Sequence, residues 1–342
     1  MKDLLRKDLR RKDLRRILPG IAISLGLLGF IFWSADLEAL GGVLLRADYR
    51  YLLPALLCFL GLLMARAMAW RTLLEEKATF RQAFFALSEG YFINNILPFR
   101  LGDVARAFLL SRTTPLRFWQ IAPTIVIERV LDLLIVVCVF LATLPFVVGI
   151  EGAASKAILV GFIVGIALLT LFVIAHQKER VLSIYRRLQT RLPFLGRLDS
   201  QVEAFFQGLV IFKHPTRFLK MFGWQQLAWA LTILHYYLLL LMLMPAPKPL
   251  WAMFTVSSAG LGIAIPSAPG GLGVIESIIV GVFILFGLNQ TQALAYALLL
   301  RAANLFTTAV PGIYGLMADG ESIFDVYRQL RAQTVQAKET GS

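Results

Sequence analysis

Two arginines sit inside strongly apolar sequence, each followed three residues later by a short polar side chain: Arg129 with Asp132, and Arg301 with Asn304. A guanidinium at membrane depth is costly unless it is paired or wetted, so one retained there marks a site. Its planar fork suits a phosphate or a carboxylate. Upstream of each arginine lies a Pro/Gly break. Residues 97–103 read LPFRLGD and residues 268–274 read APGGLGV, sharing P-x-x-L-G. Arg129 follows Pro98 by 31 residues, and Arg301 follows Pro269 by 32. Broken apolar segments at matching places in two halves are the usual sign of a membrane transporter's binding site.

Irregular backbone at membrane depth is tolerated only when buried in protein or facing water, so both breaks are expected to line a cavity. Pro98 and Pro269 end helices, while Gly102, Gly270, Gly271 and Gly273 permit tight turns and close approach. Helices starting after each break would aim N–H groups and a positive dipole end at the midplane, as an anion site does. Arg100, Asp103 and Arg106 are spaced to share one helix face. Arg100 would fork onto a phosphate beside the break; the plain alternative is a cytoplasmic surface ladder. Glu128, Arg129 and Asp132 form either a working cluster or an internally neutralised packing group. Between residues 251 and 317 the charged side chains are Glu276 and Arg301. They should pair with each other or with the first-half cluster, with Glu276 as counter-ion or proton carrier. Arg129 and Arg301 match by repeat position and are expected to converge on a central polar cavity. His235, beside Tyr236 and Tyr237, reads as a packed, hydrogen-bonded residue. Metal-ligand spacing and nucleotide-binding motifs are absent from the sequence, so neither a metal nor a cofactor is expected.

The elements that must carry these residues are helices. The chain is 58% hydrophobic, the composition of an all-α polytopic membrane protein. Apolar runs predict full spans at 17–35, 50–70, 118–148, 156–175, 217–243 and 293–317. The second carries Arg66 near its cytoplasmic end, and Pro123 should break 118–148 early. Residues 82–97 are interrupted by Glu89, Asn94 and Asn95, are too short to cross, and return as 100–111. The apolar helix 251–265, the break and 270–287 form the second such pair. About six spans and two re-entrant hairpins result.

The formal net charge is +13. Residues 1–16 hold eight Lys/Arg against three Asp, and 176–220 hold nine against three acidic residues. Both blocks abut apolar spans, so they read as cytoplasmic anchors touching anionic headgroups, and nucleic acid is not an expected partner. The layout is a basic segment 1–16, a transmembrane domain 17–317 and a cytoplasmic tail 318–342. Within the domain, pseudo-repeats at 50–175 and 217–317 flank the cytoplasmic loop 176–216, and residues 36–50 form an outer loop. The two halves then have opposite topology, as in an inverted repeat, with the N-terminus in the cytoplasm.

NNILPFRLGDVARAFLL, VIERVLDLL and PSAPGGLGVIES together resemble the membrane domain of lysyl-phosphatidylglycerol synthases, over roughly residues 15–317. The matching polar positions are Asn95, Pro98, Arg100, Gly102, Asp103, Arg106, Glu128, Arg129, Asp132, Pro269, Gly270, Gly271, Gly273 and Glu276. In the synthases this domain is credited with moving lipid between leaflets, while a separate soluble domain performs aminoacyl transfer. The resemblance implies a non-enzymatic lipid translocator, flippase or scramblase, in the cytoplasmic membrane. Its lipid would bear a phosphate or an isoprenoid or glycolipid headgroup. Two rivals stand beside it: a membrane-embedded transferase on lipid-linked substrates, and a scaffold for a separate synthase. A homo-oligomer or a partner synthase fits either.

Overall fold

A computed structural model describes residues 36–97, 100–149, 214–262 and 268–320, with isolated positions at 26, 29 and between 152 and 189. All regular structure among the described residues is helical. The expected spans 17–35 and 156–175, most of loop 176–216 and nearly all of the tail 318–342 lie outside these residues.

Residues 36–50, expected to be a loop, contain helix α1, Leu37–Leu45, and lead into a 3-10 turn at Tyr49–Tyr51. Two aspartates cause this. Asp36 accepts the Ala39 N–H at 2.9 Å and Asp48 accepts the Arg50 N–H at 3.2 Å, each capping the turn that follows. Among the described residues eight further helices follow: α2 Leu52–Leu73, α3 Phe80–Ile96, α4 Leu101–Thr113, α5 Phe118–Val148, α6 Pro215–Leu243, α7 Pro249–Gly262, α8 Val274–Leu285 and α9 Gln290–Ala318.

Among the described residues, four helices are long and apolar enough to cross a bilayer: Tyr49–Leu73, Phe118–Val148, Pro215–Leu243 and Gln290–Ala318. At about 1.5 Å per residue, α3 and α4 (17 and 13 residues) and α7 and α8 (14 and 12) fall short of a hydrocarbon core about 30 Å thick. The order long, short, short, long therefore occurs twice, as α2–α5 and as α6–α9. Helix α5 runs through Pro123, which the sequence placed at a break. A proline removes one i→i−4 bond, and a 31-residue apolar helix absorbs that loss.

The chain packs as two compact units, each drawn from separate stretches. One comprises Met1–Leu60, Ser88–Ala105 and Leu231–Ser342. Here α8 packs on both α7 and α9, and α9 packs on α1. Leu40, Leu294 and Ala295 form a core patch with Leu243 and Leu298 around it. Trp251 stacks on Phe286 with centroids 5.0 Å apart. Small residues let helices close: a Cβ on Gly312 would meet Phe92 and the Ser88 carbonyl within 3.0 Å.

The other unit comprises Gly61–Leu87 and Arg106–Ala230. Its core includes Leu63, Trp70, Leu87, Leu109, Leu110, Ile121 and Ile127. The Trp70 indole N–H, buried with its ring, donates to Thr124 Oγ1 at 3.0 Å. Outward faces of the long helices expose Val126, Leu133, Leu141, Phe146, Phe306, Val310 and Ile313. An apolar exterior of this kind suits a hydrocarbon solvent.

Candidate functional site

The second unit buries an ionic cluster on three helices. Helix α5 presents Glu128, Arg129 and Asp132 along one face, since i, i+3 and i+4 neighbours lie over one another. Arg66 of α2 donates from Nη1 to both Asp132 oxygens, at 2.8 and 3.1 Å, and lies 3.8 Å from Glu128 Oε1. Arg106 of α4 donates to Glu128 Oε2 at 3.1 Å. Arg129 donates to Glu128 Oε1 at 2.8 Å, with its other terminal nitrogen 3.4 Å from Asp132. From α6, Gln225 and Trp229 add donors to Asp132 Oδ1 at 2.6 and 3.1 Å. Two indole rings pack against guanidinium faces: Trp70 against Arg106 at 4.8 Å and Trp229 against Arg66 at 5.8 Å.

Among the described residues, the ion pairs of this cluster join three guanidinium groups to two carboxylates. Pairing of this kind offsets the cost of burying charge in low dielectric. The Arg106 side chain is fully buried and that of Arg66 is 10% exposed, whereas that of Arg129 is 27% exposed. Arg129 is therefore the cationic group of the cluster within reach of a ligand.

The first unit holds a second polar group around the Pro/Gly break. Gly270, Gly271 and Gly273 have φ of +65°, +70° and +81°, a region that disfavours L side chains. The Glu276 carboxylate folds back to accept the Gly273 N–H at 2.7 Å, capping α8. Its other oxygen accepts from Arg301 Nε, and Arg301 Nη1 donates to the Gly270 carbonyl at 3.2 Å. Of the two pairings open to Glu276 and Arg301, the structure has them with each other. The helix start that was expected to face an anion is filled by the protein's own carboxylate.

The first break follows the same device. The Gly102 N–H at the start of α4 donates to Asn94 Oδ1 at 2.8 Å. A Cβ on Gly102 would fall 1.9 Å from the Gly90 carbonyl oxygen, so only glycine fits. Asn95 donates to the Tyr91 carbonyl at 3.1 Å and to Thr308 Oγ1 of α9 at 3.2 Å. Pro98 lies outside the described residues.

Arg100, Asp103 and Arg106 differ in burial. Arg100 precedes the first residue of α4, is exposed, and has φ of +53°. Asp103 is half-buried and Arg106 is fully buried on Glu128. Asn304 sits against His235, whose Nε2 lies 2.9 Å from Asn304 Oδ1 and whose Nδ1 lies 2.8 Å from the Ala55 carbonyl. Arg129 and Arg301 each pair within their own unit.

Sequence reasoning gave Arg66, Gln225 and Trp229 no site role. Arg66 was visible as an ionisable residue inside an apolar helix. Gln225 and Trp229 carry no charge, so only the fold reveals that they converge on Asp132. No group of three or more His, Cys, Asp or Glu suited to a metal occurs among the described residues.

Spanning helices, helix breaks filled by capping groups and buried ion clusters define a multi-pass α-helical membrane protein. The chain belongs to the lysylphosphatidylglycerol synthase TM region family, which it matches over residues 17–312. It is also similar to archaeal UPF0104 membrane proteins. One, from Methanothermobacter thermautotrophicus, is 23% identical over 88% of this chain and 93% of its own. A second, from Pyrococcus horikoshii, is 23% identical over 85% and 94%. A third, from Methanocaldococcus jannaschii, is 26% identical over 65% and 91%. No solved structure matches.

Proposed function

We propose that this protein translocates a phosphate-bearing lipid across the cytoplasmic membrane, with its N-terminus in the cytoplasm. One observation carries the reading: among the described residues Arg66, Arg106 and Arg129 converge on Glu128 and Asp132, with the Arg129 side chain the most exposed of the three, in helices that belong in a bilayer. The headgroup phosphate binds at Arg129, whose side chain is 27% exposed. Acyl chains remain in the hydrocarbon, against the exposed apolar faces. Membership of a family named for a lipid synthase's membrane region supports a lipid as the substrate. The basic segment 1–16 and loop 176–216 hold the protein to anionic headgroups.

A transferase would need Glu128, Asp132 or Glu276 for acid–base work. Each is engaged by an arginine, which leaves it poorly placed to reach a substrate and argues against that rival. The test is reconstitution of the pure protein in liposomes carrying a trace of leaflet-reportable phosphatidylglycerol. Wild type is expected to speed its exchange between leaflets, and Arg129→Ala to lose that activity while staying folded. No acceleration by folded wild type, across several headgroup classes, overturns the proposal.

A further inference from the structure

Glu89 of α3 is buried completely, and neither carboxylate oxygen has a hydrogen-bond partner among the described residues. It is unlike Glu128, Asp132 and Glu276, each of which has an arginine. The packing around it is built to admit a carboxyl. Helix α9 presents Gly315 there, and a Cβ at that position would lie 2.3 Å from Glu89 Oε1. Gly312, one turn earlier, closes on Ser88 and Phe92 in the same way. Among the described residues, the charged group whose field reaches Glu89 is Asp319, one turn beyond Gly315 at the end of α9. Asp319 is exposed, and its backbone N–H returns to the Gly315 carbonyl at 2.9 Å.

An ionised carboxylate in this position would be an uncompensated charge with a second negative charge for a neighbour. Such a group holds a proton instead. A neutral acid packed against Gly315 of α9, one turn before the exposed Asp319 carboxyl, is a site that a proton can enter and leave through Asp319. We propose that Glu89 is a proton-binding site that couples lipid movement to a proton gradient, with Asp319 as its door to water. This rests on the translocation reading. It replaces Glu276 as carrier, because a proton carrier must change charge without stranding an arginine.

The experiment combines a chemical readout with a transport readout on the full-length protein in liposomes. Dicyclohexylcarbodiimide, which attacks protonated carboxyls in apolar surroundings, is applied across a pH series, and adducts are located by mass spectrometry. The expected result is modification of Glu89 that declines as pH rises, with Glu128 and Glu276 unmodified. In the same vesicles an imposed proton gradient should change the exchange rate of reporter phosphatidylglycerol. Glu89→Gln, which fixes the protonated shape, should keep exchange and lose the gradient response; Asp319→Asn should slow that response. A gradient response retained in Glu89→Gln overturns the proposal, as does absence of the Glu89 adduct at every pH. If Glu89 reacts as expected while wild type moves no lipid, the proton site stands and the translocation reading fails.

Discussion

Arg301 donates to the carbonyl of Gly270, 31 residues behind it, at 3.2 Å. The same side chain holds Glu276, which caps Gly273. The turn between α7 and α8 is thus fixed from α9 by one guanidinium. An alanine at Gly270 must adopt φ near +65° and place its Cβ 3.2 Å from Arg301 Nη1 and 3.4 Å from the Asn95 carbonyl oxygen. Gly270→Ala is expected to destabilise by about 1–2 kcal/mol, the left-handed penalty of an L residue. Gly281→Ala, with open space around its Cβ, is the control and should be neutral or slightly stabilising. Thermal unfolding in detergent measures both, and equal midpoints for the two variants would refute the clamp.

Asp132 accepts from Arg66, Gln225 and Trp229, and Arg129 lies within ion-pair distance. Removing its charge takes a carboxylate partner from both Arg66 and Arg129. Asp132→Ala should cost about 3–5 kcal/mol, as breaking a buried pair from one side does. Arg66→Met with Asp132→Leu removes both partners and should recover part of the loss. A double-mutant cycle on unfolding free energies checks this: additive effects would mean that the two residues do not interact.

The four long apolar helices among the described residues were legible in the sequence because twenty apolar residues have few other homes. Both pairs of short helices were legible too, since Pro, Gly and Asn interrupt runs that are otherwise membrane-like. Helix α1 was not, because nine residues opened by an aspartate cap read as a polar loop when span-length windows are used. Charged site residues announced themselves by their cost in an apolar setting, but their pairing did not. Arg66 and Asp132 are 66 residues apart, and nothing in either local sequence says that they meet. Glu89 looked like a mere interruption of α3. Its significance lies in what it lacks, and only packed coordinates reveal a missing partner.

His235 bridges the Ala55 carbonyl and Asn304 in the core of the first unit, with Phe59 against its ring at 5.1 Å. Asn304→Ala leaves one ring nitrogen buried without that contact, an expected cost of about 1–3 kcal/mol. His235→Phe combined with Asn304→Leu replaces the polar pair by apolar bulk and should be less destabilised than Asn304→Ala alone. Comparing unfolding midpoints decides the matter. A double variant worse than the single would show that the histidine does more than satisfy its neighbour.

At the exposed edge of the second unit, Glu76 pairs with Lys220, and Glu75 lies 2.7 Å from Lys77 and 3.8 Å from Arg217. The Lys220 ammonium holds the Glu76 carboxyl below the usual glutamate range, and the Lys77 ammonium does the same for Glu75. A carboxyl with a lowered folded value contributes stability that is complete above the unfolded value, 4.5 for glutamate. That stability disappears as pH falls through the lowered one. Lys220→Met should therefore lower the unfolding midpoint at neutral pH and match wild type once Glu76 is protonated in both. The effect should be small, because both partners are wet, and high salt should shrink it further. Midpoints recorded across an acid series at low and high salt provide the check. A deficit in Lys220→Met that persists unchanged into acid would assign the role of Lys220 to packing of its stem rather than to its charge.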